Sequence, residues 1–169
     1  MPMFPTISLT SATADRAGSK LSQLTKIDLF AGLRPSELGD LARLFYLVTV
    51  RPGHALEVQD TPVRWWNVIT SGHARVERDG TPLGLLGPGE SWSEHSLLSQ
   101  QRSSISVVAL SPVSALSLSQ RQFFGLRRTH PVLHGRMVAR AAASADRLAL
   151  PVYRALVHME RAGAPEAAW

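Results

Sequence analysis

The chain has 169 residues, which suits one domain with terminal extensions, and its 44% hydrophobic content is sufficient for a core. It contains no cysteine, so a disulfide framework and thiol chemistry are excluded. The net charge is +5, but only 18% of residues are charged and the arginines are scattered, so we expect a solvated basic surface and no nucleic-acid interface. No apolar run approaches the ~20 residues that span a bilayer. The first twenty residues lack the pattern of a signal peptide, so we expect a cytoplasmic protein without a membrane partner.

The N-terminal part of the chain changes character at Lys20. Residues 1–19 are rich in Ser, Thr, Ala and Pro without hydrophobic periodicity, which predicts a flexible lead. From Lys20 the apolar residues recur at helical spacing, and Pro35 is placed to open a second helix.

Short β-strands separated by turns fill the middle of the chain. Seven segments are predicted as strands: 46–50, 55–59, 65–70, 73–77, 83–86, 105–110 and 113–118. Short strands at such regular spacing are typical of a sandwich or barrel. Trp65 and Trp66 are adjacent on one strand, so they must face opposite sides, and we expect one of them in the core.

Helices are predicted for the C-terminal part. Ser119 is the expected N-cap of one helix, Pro131 opens the next, and Pro151 should kink or break the long Ala-rich segment that follows. Small and apolar residues recur there with coiled-coil spacing, which predicts a seam for a partner helix or for a homodimer. The seam consists of Ala141, Ala145, Leu148, Val152, Ala155 and Met159.

Residues 87–104 carry the chemistry. The Gly87-Pro88-Gly89 turn precedes Glu94, a short helical run over residues 95–98, and Arg102. Unpaired N–H groups at a helix start and a planar guanidinium both suit phosphate oxygens, whereas a carboxylate suits a sugar hydroxyl. Together they indicate a nucleotide.

This segment resembles the phosphate-binding cassette of the cyclic nucleotide-binding domain family, as found in catabolite-activator-type sensors. The matching residues are Pro88-Gly89-Glu90, Ser93-Glu94, Ser96-Leu97-Leu98 and Arg102-Ser103-Ser104. We call residues 88–104 the cassette. The turns and the N-terminal helices fit as well, so the resemblance covers about residues 24–148. It implies an eight-stranded jelly-roll barrel with flanking N-terminal helices and a long C-terminal helix.

The resemblance also implies roles for single residues. Glu94 would take the ribose 2′-hydroxyl and Arg102 the cyclic phosphate of cAMP or cGMP. The backbone near His95 and Ser96, with the side chains of Ser93 and Ser103, would complete the ligand site. Leu148 and Ala149 would lie in the helix that covers the base.

The chain departs from the family pattern in three places. Ser93 and Asp60 stand where the family has glycine, and the segment from Glu94 to Arg102 is about one residue shorter than usual. A Cβ at position 93 could crowd a close backbone approach, and a shorter loop could pull Arg102 off the phosphate.

Two functions remain open at this point. The first is a stand-alone sensor domain (residues 20–149, with a C-terminal extension over 150–169) that binds a cyclic nucleotide and signals to an unidentified protein partner or twin subunit. The second is a domain of the same fold that mediates protein interaction without nucleotide. About 20 residues follow Leu148, so we expect no helix-turn-helix domain.

Enzymatic and metal sites are not expected. His54, His73 and His95 lack the His-x-His motif of metal-binding barrels, and no catalytic triad pattern is present. We therefore predict a protein that is not an enzyme and has no cofactor apart from the cyclic nucleotide ligand.

Overall fold

The computed structural model describes residues 15–143, with side chains described from Ser19 onward. Within this range, eight strands form two four-stranded antiparallel sheets that are flanked by helices. The prediction of a jelly-roll-like β fold with flanking helices is confirmed.

The N-terminal helices pack beside the sheets. Helix α1 spans Asp15–Leu24, a 3-10 turn spans Asp28–Phe30, and helix α2 spans Pro35–Leu44 with Pro35 at its first turn, as predicted. The predicted start of α1 at Lys20 was wrong by five residues, since the helix begins at Asp15. Its first turn and a half has no apolar stripe, so periodicity could not reveal it.

The strands lie close to their predicted positions. Their bounds are β1 Tyr46–Val50, β2 Ala55–Glu57, β3 Trp65–Ser71, β4 Ala74–Arg78, β5 Thr81–Leu86, β6 Ser91–Trp92, β7 Ser106–Ala109 and β8 Val113–Ser119. Strand β6 was not located from the sequence, because two residues are too few to show alternation.

The first sheet has the order β1-β8-β3-β6 and the second has the order β2-β7-β4-β5. Side chains of β3 alternate between two cores: Trp66 and Val68 pack with the helices, whereas Ile69 packs between the sheets. Strand β8 follows the same rule, with Leu118 toward the helices and Val113 toward the second sheet. The first sheet therefore has both faces buried.

Three further helices complete the described part of the chain, of which the first, α3, is the short helix Glu94–Leu98. Helix α4 spans Gln120–Thr129, and Ser119 caps it by accepting a hydrogen bond from the Gln122 N–H, as the sequence predicted. Helix α5 occupies residues 131–143. The other residues of the predicted seam lie outside the described residues, but Ala141 is buried by its own chain, so the expectation that it faces a partner helix is wrong.

The turn between β3 and β4 offers a test of the packing. Gly72 has φ +84°, and a Cβ added there would lie 2.0 Å from the carbonyl oxygen of Pro112. Gly80 has φ +75° with open space around it. Both Gly→Ala variants introduce the cost of a left-handed alanine, ~1–2 kcal/mol. Gly72→Ala adds a backbone clash, and we expect its free energy of unfolding to be lower than that of Gly80→Ala by about 1–3 kcal/mol. Denaturant unfolding of both variants measures the difference, and equal values would contradict the close approach of the two turns.

Candidate functional site

The cassette contains a residue in a strained backbone conformation, directly before its short helix. Ser93 has φ +61° and directly precedes the short helix α3, Glu94–Leu98. Asp60 has φ +64°. These are two positions where the resembled family has glycine, and both keep the left-handed conformation that glycine adopts most easily. Both residues are therefore held in a conformation that is strained for a residue with a Cβ.

A half-buried carboxylate on β2 holds the middle of the cassette. Glu57 accepts a hydrogen bond from the indole Nε1 of Trp92 at 2.9 Å and another from the hydroxyl of Ser93. Burial raises the pKa of Glu57. The nearby hydroxyls of Ser103 and Ser93 and the Trp92 indole partly offset this rise, while the charge of Glu94 adds to it. The Ser103 hydroxyl donates to the carbonyl of Ile105, so it lies near Glu57 without giving it its proton.

Glu94 is only 2% exposed and is turned into the protein. Burial raises its pKa, and this effect is partly offset by the Ser91 hydroxyl, by its own backbone N–H, by the positive charge of Arg140 and by the Trp66 indole. Although these groups are close, the Oε1 atom of Glu94 makes no hydrogen bond within the described residues, and neither do Ser91 Oγ and Trp66 Nε1. The cassette thus contains a buried carboxyl group with spare hydrogen-bonding capacity.

Arg102 lies on the outside of the barrel. Its side chain is exposed and donates to the backbone carbonyl of Asp60, and it forms no ion pair within the described residues. Arg102 was predicted to bind the cyclic phosphate and Glu94 the ribose hydroxyl, and the structure places the first exposed and the second buried. Arg102 pairs with Pro62 in an isolated β-bridge, and the Ser103 N–H donates to the Thr61 carbonyl at 2.9 Å. These contacts hold the end of the short cassette against the 60–62 loop.

Among the other predicted site residues, some are buried and others are exposed. Ser96 and Ser103 are buried, whereas His95 is exposed. Leu148 and Ala149 lie outside the described residues. The structure therefore groups Ser93 and Ser103 around Glu57, and the role of the predicted residues in ligand binding stays a prediction.

Next to the cassette lies a cavity of about 260 Å³. It is lined by Tyr46, Val48, Val50, Leu56, Glu57, Val58, Thr61, Pro62, Val63, Arg64, Trp65, Asn67, Trp92, Ala115 and Ser117. None of the predicted ligand residues in the described range is among them. Sequence reasoning missed Glu57, because the only signal was an acidic residue between Leu56 and Val58 in a predicted strand, which reads equally well as a solvent-facing position.

Helix α5 is attached to the cassette turn. The guanidinium of Arg140 donates to the Gly89 carbonyl at 3.0 Å. One helical turn earlier, Arg136 donates to the carbonyl of Ala31 at 2.7 Å. The helix thus connects the N-terminal turn to the cassette.

The described residues contain neither a cluster of metal ligands nor a membrane-spanning helix. Within residues 15–143, no three acidic or histidine side chains come together as metal ligands. No helix in that range is long and apolar enough to cross a bilayer.

Comparison with known proteins supports the fold described above. Residues 47–130 match the family model "Cyclic nucleotide-binding domain". The chain belongs to this family. The match runs from β1 to the end of α4 and includes the whole cassette.

Three relatives illustrate the extent of the similarity. The cyclic AMP receptor protein of Thermus thermophilus is 32% identical over 117 residues, which are 66% of this chain and 54% of that protein. Acetyltransferase Pat of Mycolicibacterium smegmatis is 33% identical over 98 residues, or 56% of this chain and 29% of that enzyme. The solved structure of a cyclic nucleotide-binding domain from Methylobacillus flagellatus has a TM-score of 0.64 at 19% identity, covering 90% of this chain and 87% of that one. The chain therefore spans about half, or less, of the curated relatives it matches.

The buried carboxyls predict a pH dependence of stability. Because burial raises the pKa of Glu57 and Glu94 in the folded state, the folded protein holds protons that the unfolded chain releases. Stability is therefore complete below the unfolded pKa and falls as the pH rises through the folded pKa, by up to about 1.4 kcal/mol per pH unit for each group. We expect Glu57→Gln to reduce this slope at pH values above the ordinary pKa of a glutamate.

Denaturant unfolding across this pH range measures the slope. Glu77→Gln is the matched control, because it makes the same substitution at a carboxylate that is ion-paired with Arg75. Parallel curves for the wild type and Glu57→Gln would show that Glu57 does not hold the extra proton.

Proposed function

We propose that this domain is a non-catalytic sensor that binds a cyclic nucleotide, cAMP or cGMP, at the cassette. The observation that carries the proposal is the unpaired charge of Arg102: it lies on the cassette, exposed, with a neutral carbonyl as its hydrogen-bond acceptor. A phosphate is a stronger acceptor for a guanidinium than a carbonyl is, because the hydrogen bonds are then assisted by charge. The names of the relatives, a cyclic AMP receptor among them, support the same ligand class.

In this proposal Arg102 leaves the Asp60 carbonyl and turns to the ligand phosphate. Glu94, whose Oε1 has no partner within the described residues, supplies the acceptor or donor for the ribose hydroxyl. Binding that favours one arrangement of the cassette shifts the population of the domain toward it, without any chemical reaction.

The route from ligand to output runs through helix α5. Any movement of the cassette turn acts on the hydrogen bond between Arg140 and the Gly89 carbonyl, and thus on the position of the helix. The partner that reads this movement is a second protein or a second copy of the chain.

A specific observation favours a second function. Ser93 and Trp92 are already engaged by Glu57, and two buried acids stand near each other at the cassette, where a phosphate would meet negative charge once they ionise. A domain arranged in this way could serve as an interaction module without nucleotide.

Titration calorimetry with cAMP and cGMP separates the two functions. The sensor should give saturable heat with at least one nucleotide, and Arg102→Ala should weaken binding about 10- to 100-fold, the value of a charged hydrogen bond. Arg51→Ala is the control, because Arg51 is also an exposed arginine but lies in the turn between β1 and β2. Absence of heat at millimolar nucleotide would support the interaction module instead.

The relay can be tested separately by hydrogen–deuterium exchange. Arg140→Ala removes the bond to the Gly89 carbonyl, so amides in the second half of helix α5 and in residues 87–90 should exchange faster. Arg136→Ala is the matched control and should instead affect the region around Ala31. Unchanged exchange at residues 87–90 in Arg140→Ala would rule out this contact as the connection.

A further inference from the structure

The cavity beside the cassette is distinct from the proposed nucleotide site. Its walls come from β1, β2, β3 and β8, the loop over residues 58–64, and Trp92. Glu94, Arg102 and Ser103 do not line it.

The side chains that line the cavity are mostly apolar, and a few of them are polar. Apolar side chains that include Val48, Leu56 and Ala115 form most of the surface. Glu57 is the acidic residue among the lining residues. Asn67 on β3 also lines the cavity, and its Oδ1 accepts a hydrogen bond from Ser117. A cavity of this composition matches the usual small-molecule site, in which few polar groups orient an apolar ligand.

The rim is aromatic and accessible. Tyr46 is 48% exposed, and its ring meets that of Trp65 edge to face with centroids 5.6 Å apart. Arg64, the basic residue among the lining residues, is exposed at the rim and lies outside the buried part. The cation of the cavity is thus solvated, whereas its carboxyl group is largely enclosed.

We propose that this cavity is a second ligand site, which binds a flat aromatic compound carrying an ammonium or N–H group directed at Glu57. The volume sets the size: a dry cavity of about 150 Å³ holds benzene, so 260 Å³ suits a fused bicyclic ring of about ten heavy atoms. The charge sets the class, because an enclosed acid favours a cation or a donor and repels an anion. Tyr46 and Trp65 add ring faces and edges that suit an aromatic ligand.

Occupation of this cavity would reach the cassette directly. Glu57 holds Trp92 and Ser93, which are the two residues immediately before helix α3. A ligand that binds the Glu57 carboxylate would therefore affect the cassette just before helix α3.

The probes for the test are tryptamine and indole-3-propionate, which share one bicyclic ring and carry opposite charges. Calorimetry on the full chain, repeated at increasing pH so that the Glu57 carboxyl ionises, should show tryptamine binding at least tenfold more tightly than indole-3-propionate at the high end of the range. Glu57→Gln should reduce that preference several-fold, because it removes the charge and keeps the shape. Ala115→Leu, which places a larger side chain in the cavity, should weaken tryptamine binding at least tenfold. Arg43→Ala, which changes an exposed arginine on helix α2 that does not line the cavity, should leave it unchanged.

A second measurement guards against variants that fold poorly. Trp92 donates its indole N–H to Glu57, so its NMR resonance in the wild-type protein, assigned with Trp92→Phe, should shift on addition of tryptamine and stay in place with indole-3-propionate. No binding of tryptamine at millimolar concentration, equal binding of both probes, or an unmoved Trp92 resonance would each overturn the proposal. Because the probes contain no phosphate, these outcomes are independent of whether the cassette binds a cyclic nucleotide.

Discussion

The hydrogen bonds of Glu57 are the interaction on which this part of the molecule depends. Glu57 ends β2 in the second sheet, while its partner Trp92 belongs to β6 in the first sheet. One carboxyl group therefore connects the two sheets at the point where the cassette leaves the barrel. Removing such a group while its donors stay buried leaves them unsatisfied, which generally costs more than the bonds contribute on balance. The position of the cassette is thus tied to a residue outside it.

Glu57 lies between the cassette and the apolar cavity, the two places where ligand binding is proposed. On one side it meets Ser93 and Ser103, which belong to the cassette, and on the other it lines the apolar cavity. A nucleotide phosphate and a cationic ring would thus place opposite demands on its charge. If both proposed sites bind their ligands, Glu57 would couple them, and by linkage each ligand would change the affinity of the other by the same factor.

Much of the fold was predictable, because it depends on patterns that extend over many residues. Alternation along β3 and β8, turns at glycine and proline, and the Ser119 cap are all visible in the sequence, and the structure confirms them. The side chains of the site were harder, since a family motif specifies residue types and not directions. The exposed position of Arg102 follows from its bridge to Pro62 in a distant loop, and the burial of Glu57 follows from the packing of one sheet on the other. Neither contact leaves a local signal in the chain.

Helix α5 is held to the barrel by arginines that donate to backbone carbonyls, as Arg140 does to Gly89. Each of these hydrogen bonds joins a cationic side chain to a neutral peptide oxygen. Salt weakens such a bond less than it would weaken a pair of opposite full charges, since one member is neutral. Release of the helix would therefore require a competitor for these guanidinium groups, such as an acidic surface on another protein, together with withdrawal of Leu133 and Met137 from the core.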